Sequence, residues 1–80
     1  MASMMSDLIE YIAKSLVDDP EEVRVTEHDE NGRLIVHLDV AQDDIGRVIG
    51  RDGRIATAMR SLIKVAAIRE DARVGLEIGD

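Results

Sequence analysis

Between Ile45 and Ile68 the chain carries two runs of helically spaced apolar residues, and the tetrapeptide Gly50-Arg51-Asp52-Gly53 interrupts them. Ile45, Val48 and Ile49 give the apolar face of the first run. Ile55, Ala58, Met59, Leu62, Ile63 and Ala66 give one stripe of the second. The i, i+3, i+4 spacing predicts a short helix over Gln42–Ile49 and a longer one over Arg54–Ile68. Gly46 weakens the short helix by about 1 kcal/mol relative to alanine. Asp43 and Asp44 fall in its first turn, where they complement the helix dipole. Glycine lacks a Cβ, so two of them between the helices allow another backbone to approach closely. Whatever else the chain does, it folds around a helical hairpin with a notch in it.

The rest of the chain supplies a sheet and one more helix. Leu8, Ile9, Ile12, Ala13 and Leu16 predict a first helix over Ser6–Val17, with Ser6 as N-cap and Asp18-Asp19-Pro20 as its end. Residues 1–5 read as a loose leader and residues 6–80 as a single domain. Val23–His28 and Leu34–Val40 read as strands, the second placing Leu34, Val36, Leu38 and Val40 on one face. Asn31-Gly32 between them tolerates the positive φ of a tight hairpin, so the two strands are expected to be antiparallel neighbours. Val74–Ile78 alternates as a last strand. The expected class is α+β, in the order αββααβ.

Eighty residues make one small domain with a thin core. No cysteine is present, which excludes disulfides and thiolate chemistry. No segment approaches the roughly 18 apolar residues of a membrane span, and the N-terminus lacks the basic start of a signal peptide, so no membrane association and a cytoplasmic location are expected. The formal net charge is −7, which taken alone argues against a polyanionic partner. Its distribution argues otherwise. Residues 45–69 hold Arg47, Arg51, Arg54, Arg60, Lys64 and Arg69 against the single acid Asp52, a net of +5, and the remaining residues carry −12. Charges screen over about 8 Å at physiological salt, so a local site can be positive on a negative chain.

The notch between the helices is a natural anion site. The second helix begins there with N–H groups that lack intrahelical partners, and Arg51 and Arg54 add full charges. A phosphodiester backbone fits that description, with Val48, Ile49 and Ile55 flooring a groove for bases. The plainer alternative is a Gly-x-x-Gly turn with Gly50 at a helix C-terminus. Arg60 and Lys64 either extend a phosphate track or form the solvated face of the helix. Tyr11, the only aromatic, reads as a partly buried packing residue, and without other rings the base-stacking platforms of several RNA-binding classes are excluded. His28 and His37 lie on different strands with no Cys or carboxylate spacing to complete a metal site, and ordinary structural roles are expected. No nucleophile is paired with a base, and no cofactor fingerprint is present. A binding module is expected rather than an enzyme.

The stretch "VIGRDGRIATAMRSLIKVAA" resembles the core of a KH domain, in which I/V-I-G-x-x-G lies between two helices. The order αββααβ is that of the type II, bacterial arrangement. "LIEYIAKSLVDDPEEVRV", taken with the GRDGR segment, extends the likeness to the small bacterial single-KH proteins of the KhpA type, from about Leu8 to Ile78. The resemblance implies a three-stranded mixed sheet with three helices packed on one face. It implies a groove for about four nucleotides of single-stranded RNA. On this chain the implied site is Arg47, Val48, Ile49, Gly50, Arg51, Asp52, Gly53, Arg54, Ile55 and Arg60, with Val36 and Leu38 as strand positions near it. Asp52 departs from the basic or polar residue common at that loop position. The resemblance further implies an RNA chaperone or regulator linked to cell elongation and division, as a homodimer or a heterodimer with a Jag-like KH protein. Two helices joined by a glycine turn also describe a helix-turn-helix, so duplex DNA is the remaining alternative.

Overall fold

Asn31 and Gly32 both take positive φ, 56° and 83°, as a two-residue hairpin of matching twist requires. They join β1 (Arg24–Glu30) to β2 (Arg33–Asp39) in antiparallel register, with Glu30 opposite Arg33 and Arg24 opposite Asp39. β1 therefore runs two residues further toward the turn than its alternation suggests. The structure, a computed structural model, describes residues 3–79. β3 (Val74–Ile78) lies parallel to β2 on the other side, giving a mixed sheet in the order β1-β2-β3.

Parallel neighbours need a crossover. Here it consists of a 3₁₀ turn (Gln42–Asp44), α2 (Ile45–Ile49), a second 3₁₀ turn (Arg51–Gly53) and α3 (Arg54–Arg69). Together with α1 (Met4–Leu16) these helices cover one face of the sheet, so the chain is α+β in the expected order αββααβ. Ile9, Val36, Leu38, Met59 and Ile63 are at the centre of the shared core. No helix among the described residues is long and apolar enough to cross a membrane.

The first helix begins earlier than its apolar spacing suggests. Ser3, not Ser6, is the N-cap: its Oγ accepts from the Ser6 amide at 3.1 Å. Met4 and Met5 thus belong to the helix rather than to a loose leader, and Met5 is buried; Met1 and Ala2 lie outside the described residues. Ser6 is buried and its hydroxyl donates to Glu27, as does that of Ser3. The Ser3 amide donates to the same carboxylate at 3.0 Å. These bonds, the hydroxyls foremost, hold the Glu27 carboxyl below its ordinary range. An acid from β1 thereby caps α1 in space, a pairing no local pattern announces.

Two further expectations change. Tyr11 is 73% exposed rather than partly buried. The buried stripe of α1 is Met5, Ile9 and Ala13, and a residue two past Ile9 lies about 200° round the helix from it. On α3 the buried positions are Ala56, Met59, Ile63 and Ala67, so the Ala58–Leu62 shoulder of the expected stripe faces solvent. Asp44 is buried and accepts from the Asp18 and Asp19 amides, each at 3.1 Å. It ties the end of α1 to the start of α2, beyond any effect on the helix dipole.

The open face of the sheet is polar. His37 places Nδ1 3.3 Å from Glu77 and Nε2 3.4 Å from Asp39. The Glu77 hydrogen bond, helped by Asp39, raises the His37 pKa above its ordinary 6.5 against a partial desolvation. A raised folded-state pKa contributes stability that is complete below 6.5 and lost as pH rises through the folded value. Urea midpoints are therefore expected to fall as pH is raised from about 6 to about 8, the span in which histidine titrates. In His37→Gln the midpoint should change less over that span; an unaltered pH profile would exclude the cluster as its source.

Candidate nucleic-acid interface

The notch is built by Gly50. Its φ of 78° and ψ of 171° belong to a region that only glycine enters without strain. A Cβ there would lie 2.4 Å from Ile55 Cγ1 and 2.9 Å from the Ile55 amide nitrogen. α2 and α3 can meet this closely only because the position is bare. Gly53 differs: its φ is 74°, and a Cβ would meet nothing within 4 Å. It is the N-cap of α3 and faces open space. Asp52 is left-handed as well, at φ 56° and ψ 25°, a conformation Asp tolerates better than most residues.

The turn's own bonds use the Gly53 amide, donating to the Gly50 carbonyl at 3.1 Å, and the Arg54 amide, donating to the Arg51 carbonyl. Neither bond draws on the Arg51 or Asp52 amides, which lie on an exposed loop. The donors left for an anion are therefore those of the turn's crest, with the Arg51 and Arg54 side chains beside them.

From this turn α3 carries Arg60 and Lys64 along one flank, two and three helical turns on. By helical rise, Lys64 stands about 16 Å from Gly53 along the axis. There the flank meets β3. Arg60, Lys64 and Arg73 border a cavity of about 420 Å³ between α3 and β3, with Ala67, Ile68 and Val74 among its apolar walls. Among the described residues no acidic side chain lines it. Among the described residues Arg51, Arg54, Arg60, Lys64 and Arg73 form no ion pair, although acids outnumber bases 17 to 10 in the chain.

The residues anticipated from the sequence do not all converge here. Gly50, Arg51, Asp52, Gly53 and Arg54 form the turn, Arg60 follows on α3, and Ile49 and Ile55 flank the notch half-buried. Val48 is fully enclosed in the core, with 0% exposure, so it supports the groove from beneath and presents no surface to a base. Val36 and Leu38 are likewise enclosed under the helices. Arg47 is engaged elsewhere: Nη2 lies 3.0 Å from Asp18 and Nη1 3.2 Å from Asp44. Arg73 was not anticipated. It stands 20 residues beyond Gly53 in sequence, and the β2–β3 pairing, with the Leu34 amide donating to the Arg73 carbonyl at 2.9 Å, brings it to the same cavity as Lys64. Among the described residues no group of three or more His, Cys, Asp or Glu is placed to hold a metal ion.

A family model described as the KH domain of KhpA/KhpB matches residues 6–78. The chain belongs to the KhpA/KhpB KH-domain family. Curated relatives named RNA-binding protein KhpA match it over nine-tenths or more of its length. The protein from Clostridium acetobutylicum is 53% identical over 92% of this chain and 99% of its own. That from Halalkalibacterium halodurans is 49% identical over 95% of this chain and 100% of its own. That from Treponema pallidum is 48% identical over all of both chains. A crystal structure of Aquifex aeolicus Era bound to GDP and AlF₄⁻ superposes with a TM-score of 0.63 at 14% identity, covering 95% of this chain and 29% of Era, which shows a shared fold.

The KhpA-type loop separates its two glycines by physical role. Gly50→Ala combines backbone strain with overpacking against Ile55 and is expected to cost about 3 kcal/mol or more, a fall in Tm of roughly 15 °C. Gly53→Ala carries only the left-handed penalty, about 1 kcal/mol and roughly 5 °C. Thermal unfolding of the two variants checks this; equal losses would mean that the Gly50–Ile55 contact does not set the α2–α3 approach.

Proposed function

We propose that the chain holds single-stranded RNA, about four nucleotides at a time, along the path from the Gly50–Gly53 turn to the α3–β3 cavity. The row of cations that among the described residues have no ion-pair partner, bordering a groove that no described acid lines, on a chain of net charge −7, carries this reading. Arg51 and Arg54 take phosphates at the turn with its exposed amides, and Arg60 and Lys64 continue the track. Bases rest on Ile49, Ile55 and the apolar walls of the cavity. Phosphate contacts position the strand, and base edges supply the specificity. The relatives named RNA-binding protein KhpA support the same conclusion. A groove without aromatic stacking and with Asp52 in its loop binds weakly, with a Kd on the order of 10⁻⁴ to 10⁻⁶ M at physiological salt. The outer face of α3 carries exposed Ala58, Leu62 and Val65, which suits a duplex-reading helix poorly.

Gly53→Asp tests the site without disturbing the fold, because the new side chain enters open space and Asp accepts left-handed φ. Fluorescence anisotropy with a labelled single-stranded oligonucleotide is expected to show at least tenfold weaker binding for Gly53→Asp and for Arg51→Asp, with unchanged circular dichroism. Undiminished binding by folded variants would refute the site.

A second reading concerns assembly. Leu62 and Val65 are 49% and 59% exposed on the outer shoulder of α3, an apolar strip that water does not favour. Two copies meeting along this strip about a two-fold axis, or one copy meeting a Jag-like KH protein, would place two weak grooves in one particle and raise avidity without new contacts. Val65→Glu is expected to convert a concentration-dependent dimer into a monomer in sedimentation experiments. A wild-type chain that sediments as a monomer at every concentration would exclude self-pairing. In the cytoplasm such a particle would serve as an RNA chaperone or post-transcriptional regulator, linked to cell elongation and division. Cell length in a deletion strain is the measurement that tests that link.

A further inference from the structure

Arg33 opens β2 on the face of the sheet that carries no helices, the same face as Ile35 and, across the parallel pairing, Gly75. A Cβ built on Gly75 would lie 2.6 Å from Arg33 Nη2, 2.9 Å from Arg33 Cζ and 3.2 Å from Ile35 Cδ1. The guanidinium therefore rests in the space a side chain at position 75 would fill. Gly75 does not need positive φ, so what glycine supplies here is room rather than backbone freedom. Ile35 is 3% exposed although it lies on the open face, and its Cδ1 approaches the same bare position as the guanidinium.

Arg33 also lines the α3–β3 cavity, alongside Arg60, Lys64 and Arg73. Among the described residues it forms no ion pair. A planar donor fork lining a groove that has no acidic side chain among the described residues suits bidentate phosphate recognition.

We propose that Arg33 is a phosphate-binding residue of the RNA groove, delivered from the open sheet face across Gly75 to the wall opposite α3. This rests on the RNA reading above. It adds a second cation to the sheet wall beside Arg73, and it gives Gly75 a function as the saddle over which the arginine passes.

Two substitutions separate charge from position. Arg33→Met keeps a long unbranched side chain and removes the charge. Gly75→Ala keeps every charge and displaces the guanidinium, the end of a flexible side chain, so the domain still folds. The probe is a fluorescein-labelled oligouridylate of eight nucleotides, titrated across salt concentrations, with Gly53→Asp in parallel and melting curves for each variant. Arg33→Met and Gly75→Ala are each expected to bind about three- to tenfold more weakly at low salt, with the log–log salt slope smaller by about 0.7, the value for one phosphate contact on a single strand. An unchanged slope and affinity in Arg33→Met overturn the proposal whatever Gly75→Ala does. Weakening in Arg33→Met alone, with Gly75→Ala unchanged, also overturns it, because the arginine then acts as diffuse charge. If Gly53→Asp weakens binding while both other variants match wild type, Arg33 is excluded and the loop site stands. If Gly53→Asp alone matches wild type, the loop reading falls and the Arg33 contact stands.

Discussion

β2 and β3 run in the same direction side by side, and no hairpin can join such neighbours. The chain between them must climb onto one face of the sheet, travel its length and return. α2, the glycine turn and α3 are that journey, so the turn is delivered to one end of the helix layer while β3 returns as a wall beside the far end of α3. Gly50 lets the ascent and descent touch, with Ile55 filling the place of its missing side chain. Remove the parallel pairing and the cationic flank of α3 would border solvent on every side.

The charges sort along this architecture. Acids gather around the end of α1 and the start of α2, where Asp44 ties backbone amides and draws in Arg47 with Asp18. The bases of the α3–β3 side have no such partners among the described residues. Two arginines a few positions apart therefore do different work. Arg47 secures a loop, and Arg51 is left exposed on the crest of a turn.

Local signals were legible in the sequence, and distant ones were not. Asn31-Gly32 announced its hairpin because both residues carry the conformation in their own chemistry. The apolar periods on either side of Gly50 and Gly53 announced two helices for the same reason, and with them the order of the fold. The start of α1 was less legible: the apolar spacing points to Ser6, whereas the cap is Ser3, and Glu27, across on β1, engages both. Tyr11 and Leu62 went astray because spacing shows that a stripe exists but not where its neighbours stop covering it. Val48 and Ile49 are adjacent apolar residues, and only the packing of α2 decides that the first faces the core and the second the notch. Arg73 and Arg33 reach the groove through strand pairing, which no window around the glycine turn contains.

The sorting of charge has a kinetic consequence. A polyanion far from the molecule responds to its net charge and is repelled; within about 8 Å it responds to whichever patch it faces. The acidic flank thus screens out encounters from most directions, whereas the cationic one captures. Raising ionic strength then quickens approach and loosens retention together, so selection is exercised by orientation at first contact as much as by strength of grip.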